Sequence, residues 1–217
     1  AIGPEVDAIA KVAKINQKDH SQGHICPNTE KWLRLGPAGL RAQAAVRLET
    51  ADAAHRDFYE SIILVMDGAC TFMRRYADLA EEMAAKETDE KRKAELLQIA
   101  ENCRWVPAHK PRTFWQAIQQ YWFVHIGVTS ELNPWDAYSP GRLDQHLNPF
   151  YVDDVENGRI DRDGALELLE CLWVKFNNQP APPKVGITLK ESSTYTDFAN
   201  INTGGITEDG KDGVNEV

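Results

Sequence analysis

The chain has 217 residues, of which 42% are hydrophobic and 26% are charged, and its formal net charge at pH 7 is -9. This composition is typical of globular proteins and excludes a wholly disordered or collagen-like chain, while the negative charge argues against a nucleic-acid partner because it repels phosphate. No stretch approaches the roughly 18 consecutive apolar residues of a membrane-spanning helix, so we expect no membrane partner.

The four cysteines, at positions 26, 70, 103 and 171, are far apart and include no C-x-x-C pair. This usage predicts neither a zinc site nor a disulfide framework, and we expect no bound metal. Reduced thiols are typical of the cytoplasm, which is the location we predict. The first residues lack the basic and apolar regions of a signal peptide, and the absent initiator methionine leaves open that the chain begins inside a longer one.

Hydrophobic periodicity predicts helices along the first half of the chain. They are expected at residues 2–15, 27–49, 53–85 and 88–101. Gly36 and Pro37 divide the second of these into two short helices, and the third is a long packed helix. The fourth is highly charged and is predicted to bury Leu96, Leu97 and Ile99.

Thr113 is a predicted N-cap for a helix that runs through Val128 and is apolar on nearly every side. Such a helix belongs in the middle of a large protein, and we expect the rest of this chain to offer too few partners to cover it. A further amphipathic helix is predicted over residues 163–177, with Asp163 as its cap.

The C-terminal part of the chain is predicted to contain strands and a loop rather than helices. Two short β-branched stretches, residues 185–189 and 198–202, are predicted strands. The last ten residues are rich in Gly, Asp and Glu and predict a surface loop, in which residues 214–217 have the pattern of the first turn of a helix. The sequence therefore predicts a helix-rich α/β fold.

Common catalytic motifs are absent, because the chain contains no glycine-rich phosphate loop, no H-E-x-x-H pair and no G-x-S-x-G elbow. The richest polar segment is residues 135–146, which holds an Asp, a Tyr, a Ser, an Arg and a His directly after the apolar helix. A polar segment made rigid by Pro and Gly suits a binding site. Pairing of Arg142 with Asp144 or Asp136 inside a domain explains the same residues equally well.

The string P-G-R-L-D-Q-H-L at residues 140–147 resembles the PGR-F/L-DQ segment of the glycyl radical enzymes, the pyruvate formate-lyase superfamily. Similar family segments occur, in the same order and spacing, at residues 111–117, 172–177, 200–205 and 212–216. The resemblance covers essentially all 217 residues but only the interior portion of a longer family chain. It implies that the chain is part of a ten-stranded α/β barrel, to which the two predicted strands belong.

The resemblance also implies a cofactor, a glycyl radical that a separate iron-sulfur activating enzyme installs with S-adenosylmethionine. The family's G-C-x-E cysteine loop and R-V-S/A-G-Y glycine loop are absent from this sequence, and the resemblance places both beyond Val217. We therefore assign no catalytic residue to this chain, predict it to be inactive alone, and expect a homodimer of the whole enzyme. Substrate binding and part of the barrel wall are the roles that remain.

Within the family, the sequence is similar to the eliminating branch, which removes water, trimethylamine or sulfite from small polar substrates. Members that dehydrate a hydroxylated amino acid match best, with sulfite-releasing lyases and the glycerol and propanediol dehydratases as alternatives. The matching positions imply that Asp136 holds the substrate amine and that Ser192 and Phe198 shape the pocket. Trp135 would supply a dry wall, and His20, in the polar loop after the first helix, would reach the leaving group or a carboxylate.

Each of these residues also has a structural explanation. Asp136 would cap a turn, Ser192 would bond to its own backbone, and Phe198 would belong to the core. A different class of function also stays open, namely a binding module that kept the pocket and lost the radical machinery. A purely structural scaffold that binds no small molecule is the third possibility.

Overall fold

A computed structural model of the chain describes residues 26–131, 139–177 and 201–217, together with Glu5 and Ala8. Six α-helices lie within these ranges, and in chain order they are α1 (Thr29–Glu49), α2 (Ala53–Ala84), α3 (Glu90–Trp105), α4 (Phe114–Glu131), α5 (Leu143–Glu156) and α6 (Arg162–Asn177). The same ranges contain no extended strand, only two isolated β-bridges that pair Gly141 with Ile201 and Ile206 with Asp212. The prediction of a helix-rich chain is confirmed.

Several predicted elements fall outside the described residues. These are most of the helix at residues 2–15, of which Glu5 and Ala8 are helical, the polar loop after it, and the strand at residues 185–189. The second predicted strand is described only from Ile201 onward, and Ile201 pairs in parallel with Gly141. The barrel to which these strands are predicted to belong therefore remains a prediction.

Helix α2 packs along both α1 and α3 through a narrow seam of small and flexible side chains. Its buried residues recur every three or four positions and are Met66, Cys70, Met73, Ala77, Ala80 and Ala84. This 3.5-residue period is that of helices packed side by side, and alanines in the second half of the seam let the backbones approach closely. The prediction of a long helix that uses methionine and cysteine as core filler is confirmed.

Helix α1 bends where the sequence predicts a division. Gly36 has φ 64° and ψ 171°, outside the helical region, and Pro37 follows it within the element. A Cβ at Gly36 would lie 3.3 Å from the carbonyl oxygens of Val106 and His109. Glycine is therefore required here both for the left-handed φ and for the close approach of the chain after α3.

Helix α3 begins and ends later than predicted, and one of its expected core residues is wrong. Asp89 caps it, since its Oδ1 accepts a hydrogen bond of 2.7 Å from the amide of Arg92. Leu96 is buried, but the side chain of Leu97 is 49% exposed. The helical period explains the error, because Leu96, Ala100 and Cys103 share the face toward α2 and Leu97 lies about 100° away from it.

Helix α4 is the centre of the fold. It contacts α1, α3, α5 and α6, and its fully buried side chains include Phe114, Ala117 and Tyr121. Between residues 114 and 129 only Gly127 is exposed. The expectation that this chain offers too few partners to cover the helix is therefore wrong, because four helices of the chain pack against it.

The start of α4 is held by two caps, one local and one from another helix. The hydroxyl of Thr113 accepts a hydrogen bond of 3.2 Å from the amide of Gln116, which confirms the predicted N-cap. Asp154 of α5 accepts from the amide of Phe114 at 2.7 Å and from Nε of Arg159 at 2.6 Å, although its side chain is almost fully buried. A buried carboxylate at a helix N-terminus accepts hydrogen bonds from amides that have no partner within the helix. Its negative charge also interacts favourably with the positive end of the helix dipole.

The C-terminal third departs from prediction at three points. Helix α5 was not predicted, because Pro149 interrupts its pattern, yet the helix continues through that residue. Helix α6 is capped by Asp161 rather than Asp163, since Asp161 Oδ1 accepts from the amide of Gly164 at 2.8 Å. Residues 214–217 form no helical turn, because the side chain of Asn215 bonds to the carbonyl of Gly213 and to the amide of Val217.

We predict that Asp154→Asn lowers the free energy of unfolding by about 1–3 kcal/mol, because the amide cannot accept from both Phe114 and Arg159. Urea unfolding followed by circular dichroism measures this change. Glu156→Gln is the matched control, since Glu156 lies on the same helix, is exposed and has no described partner. Equal stability of the two variants would contradict the capping role of Asp154.

Candidate functional site

The motif at residues 140–147 binds the last described segment of the chain, residues 201–217, which we call the C-terminal loop. Asp144 Oδ2 accepts from the amide of Gly204 at 2.7 Å and from Nδ2 of Asn215 at 3.1 Å. Gln145 Nε2 donates to the carbonyl of Gly204 at 2.8 Å, and Arg142 donates to a further carbonyl of the loop. We call Arg142, Asp144 and Gln145 the clamp.

The clamp bears on one of the two ion pairs that the sequence suggested for Arg142, the one with Asp144, whereas Asp136 lies outside the described residues. Arg142 and Asp144 form no ion pair with each other in the described structure, and each binds the C-terminal loop instead. Asp144 is 2% exposed. The bonds of its Oδ2 to an amide and a carboxamide offset part of the loss of water around the carboxylate, whereas its buried Oδ1 has no hydrogen-bond partner in the described structure. The charged residues of the motif therefore join two distant segments of the chain.

Glycines make the close approach of the loop possible. Gly204 and Gly205 have φ values of 68° and 81°, which L-residues with a side chain rarely adopt. A Cβ at Gly213 would collide with the carboxamide of Gln145 and would lie 3.0 Å from the carbonyl oxygen of Gly205. The glycines and the clamp thus depend on each other.

Tyr121 of α4 and His146 of α5 hold the backbone just before the clamp. The Tyr121 hydroxyl lies 2.6 Å from the carbonyl oxygen of Pro140 and 2.9 Å from Nδ1 of His146. Burial lowers the pKa of His146 from its ordinary value of 6.5, and the charges of Glu30 and Asp144 only partly oppose this effect. The imidazole is therefore neutral near pH 7.

An open cavity of about 630 Å³ lies beside the clamp. Its lining carries charges of both signs, contributed by Glu30, Arg34, Lys110, Arg142 and Glu208, and also includes His146. These charged side chains are exposed. The cavity is thus a solvated surface feature rather than a dry pocket of the kind that a reactive intermediate needs.

The predicted site residues His20, Trp135, Asp136, Ser192 and Phe198 all lie outside the described residues. The structure does describe the chain just after two of them. Gly141 follows Asp136 by five residues, Ile201 follows Phe198 by three, and Gly141 and Ile201 pair in parallel. The two chains of a parallel pair run in the same direction. The pair of Gly141 and Ile201 therefore lies on the C-terminal side of both predicted pocket segments in the sequence.

The four cysteines have two kinds of surroundings in the described structure. Cys70 and Cys103 are buried between helices, where burial raises the pKa of both thiols, that of Cys103 to about 12. Cys26 and Cys171 are exposed.

Sequence reasoning missed Tyr121 and Asp154, both of which form bonds between distant parts of the chain. A tyrosine within an apolar helix carries a hydroxyl that needs a partner when it is buried, and this was the available signal for Tyr121. Asp154 offered none, since it lies in an acidic run that resembles a solvated face.

The chain belongs to the pyruvate formate lyase-like family, whose sequence pattern matches residues 2–217. It is 72% identical over 208 residues to trans-4-hydroxy-L-proline dehydratase of Clostridioides difficile, an alignment that covers 92% of this chain. It is 36% identical over 198 residues to isethionate sulfite-lyase of Nitratidesulfovibrio vulgaris, with 87% of this chain covered. The chain spans only 26% and 24% of the lengths of these two curated relatives.

Solved structures agree with this assignment. The hydroxyproline dehydratase of Clostridioides difficile, crystallised with trans-4-hydroxy-L-proline bound, superposes with a TM-score of 0.83 over 100% of this chain and 28% of its own. Identity is 55% over the residues paired in space. The glycerol-bound B12-independent glycerol dehydratase of Clostridium butyricum superposes with a TM-score of 0.81 and 31% identity, over 99% of this chain and 28% of its own.

The described part of the chain also lacks two features. No helix there combines the length and the apolar character needed to cross a bilayer. Within residues 26–131, 139–177 and 201–217, no three His, Cys, Asp or Glu side chains are grouped so that they can hold a metal ion.

We predict that Asp144→Ala releases the C-terminal loop and raises the rate of tryptic cleavage after Lys211 at least about fivefold, because two hydrogen bonds to the loop are lost. Lys211 is well placed for this assay, since its side chain is 78% exposed. Asp163→Ala removes an exposed carboxylate that does not contact the loop and serves as the control. Equal cleavage rates for the two variants would argue against the clamp.

Proposed function

We propose that this chain forms part of the substrate-binding interior of a glycyl radical dehydratase that removes water from trans-4-hydroxy-L-proline. The observation that carries the proposal is the 72% identity to the dehydratase that acts on this substrate, compared with 36% to a sulfite-lyase of the same family. Because one fold hosts many functions, the support for this substrate is the higher sequence identity to the hydroxyproline dehydratase rather than the shared fold.

The proposed pocket consists of Asp136, Ser192, Phe198, Trp135 and His20. Asp136 binds the secondary ammonium group of the substrate, because a carboxylate beside a cation in a water-poor site forms a strong, oriented hydrogen bond. Phe198 and Trp135 exclude water, and Ser192 and His20 bind the hydroxyl or carboxylate of the substrate. The parallel pairing of Gly141 with Ile201 supports a pocket that draws on both segments.

The wider architecture follows from the same proposal. The stretches at residues 185–189 and 198–202 are strands of a ten-stranded barrel, and the described helices lie outside it. The whole protein is a cytoplasmic homodimer that is activated by a separate iron-sulfur enzyme using S-adenosylmethionine. Support for this arrangement comes from the family to which the chain belongs.

The glycyl radical, carried by a residue outside this chain, supplies the ability to remove a hydrogen atom from an unactivated carbon. The residues of this chain bind the substrate in one orientation, so that a single C–H bond faces the radical centre. They also keep water away, which prevents quenching of the reactive species.

Sulfite release from isethionate is the second candidate, because the 36% identical relative carries out that reaction. Asp136 argues against it, since a carboxylate repels a sulfonate at short range. Dehydration of glycerol or propanediol is a further alternative within the family, and a glycerol dehydratase is among the structural neighbours. Neither diol carries a cation for Asp136 to bind.

The test uses the full-length protein that contains this chain, activated anaerobically by its activating enzyme. Electron paramagnetic resonance counts the radical, and mass spectrometry follows loss of water from hydroxyproline, of sulfite from isethionate and of water from glycerol. Turnover of hydroxyproline supports the proposal, and turnover of another substrate alone overturns it. A full-length protein that binds hydroxyproline but forms no radical would instead support the alternative hypothesis, a binding module that has lost the radical machinery.

We predict that Asp136→Asn lowers kcat/KM for trans-4-hydroxy-L-proline by about 10- to 100-fold, because a hydrogen bond between two charged groups becomes one to a neutral amide. Steady-state kinetics normalised to radical content measure the effect. Asp163→Asn, which changes an exposed carboxylate elsewhere on the chain, is expected to match the wild type. An unchanged kcat/KM for Asp136→Asn would exclude the proposed amine contact.

A further inference from the structure

Tyr121 is a buried tyrosine whose hydroxyl joins three parts of the fold. It lies near the middle of α4 with its side chain fully buried. Its hydroxyl is 2.6 Å from the carbonyl oxygen of Pro140 and 2.9 Å from Nδ1 of His146 on α5. A buried hydroxyl with two partners at these distances is fixed in position, since loss of either bond leaves a polar group without compensation.

The directions of these two bonds follow from the protons available. A carbonyl oxygen only accepts, and a tyrosine hydroxyl has one proton to donate. The hydroxyl of Tyr121 therefore donates to Pro140 and accepts from Nδ1 of His146. His146 thus carries a proton on Nδ1, and its lowered pKa keeps Nε2 unprotonated near neutral pH. The chain of bonds runs in one direction, from His146 through Tyr121 to Pro140.

Pro140 ends the segment that carries the proposed amine-binding residue. Asp136 precedes Pro140 by four residues. Because an extended chain spans at most about 3.6 Å per residue, the Cα atoms of the two residues lie at most about 14 Å apart. The other end of the segment leaves α4 after Glu131. Glu131 and Pro140, the described residues on either side of this segment, are therefore both attached to α4, the first through the backbone and the second through the side chain of Tyr121.

We propose that Tyr121, oriented by His146, is a positioning residue that sets the location of Asp136 by holding the carbonyl of Pro140. The inference rests on the proposed function, in which Asp136 binds the substrate amine. Tyr121 itself lies in the core rather than in the pocket, so it acts through the backbone. Its contribution is to substrate affinity and orientation, beyond the stability that any buried hydrogen bond confers.

The decisive experiment measures the Kd of trans-4-hydroxy-L-proline by calorimetry in the unactivated full-length protein, so that no radical is needed. Tyr121→Phe keeps the ring and removes the hydroxyl, and we expect the Kd to rise about tenfold. Tyr151→Phe is the matched control, because Tyr151 packs its ring against Phe114 and its hydroxyl has no hydrogen-bond partner among the described residues. The control is expected to bind as the wild type does.

A double-mutant cycle tests whether Tyr121 acts through Asp136. In the Asp136→Asn background, Tyr121→Phe is expected to leave the Kd unchanged, because the contact that it positions is already lost. Additive effects of the two substitutions would overturn the inference. A lower melting temperature of Tyr121→Phe with an unchanged Kd would also overturn it, since that result assigns the hydroxyl to stability alone.

His146 provides a second route if Tyr121→Phe does not fold. His146→Asn keeps an N–H donor near the position of Nδ1 and is expected to keep the Kd within about threefold, whereas His146→Leu removes the donor and should raise the Kd about tenfold. Equal affinities for the two variants overturn the positioning role. A wild-type protein that does not bind hydroxyproline overturns the proposed function and this inference together, whereas binding by the wild type and equally by Tyr121→Phe overturns the inference alone.

Discussion

Burial of α4 among four other helices is the constraint on which the rest of this structure depends. A helix enclosed on nearly every side needs partners for the polar groups that it carries, because little water reaches them. Asp154 of α5 accepts from the amide of Phe114, the side chain of Gln120 donates to the carbonyl of Trp32 in α1 at 2.9 Å, and Tyr121 binds Pro140. Each bond fixes one surrounding element relative to α4.

These bonds connect the fold to the proposed site. The chain after α4 returns to it at Pro140, pairs with Ile201 through Gly141 and then enters α5. Four of the five residues proposed to bind substrate, all but His20, precede these fixed points closely in the sequence. Rigid packing of helices thus supports the loops that would bind the ligand, an arrangement that favours precise positioning of a substrate.

The most recognisable motif of the sequence has a structural role in the described chain. Arg142, Asp144 and Gln145 bind the C-terminal loop. Members of the family that act on different substrates keep the same overall fold, as the TM-scores of 0.83 and 0.81 indicate. A motif that joins two segments is independent of substrate, so it identifies the family, whereas the residues of the pocket must distinguish one member from another.

The sequence by itself determined five of the six described helices, the cap at Thr113, the bend at Gly36 and the family. These properties depend on residues close together in the chain, through helical period and local hydrogen bonds. The candidate pocket residues were likewise named from sequence likeness and remain predictions. Only the tertiary structure decided that the chain encloses α4, that Leu97 faces solvent, and that Asp144, Asp154 and Tyr121 bind partners distant in sequence. Such contacts are set by the packing of whole helices, and no local pattern encodes which distant backbone group a buried side chain will meet.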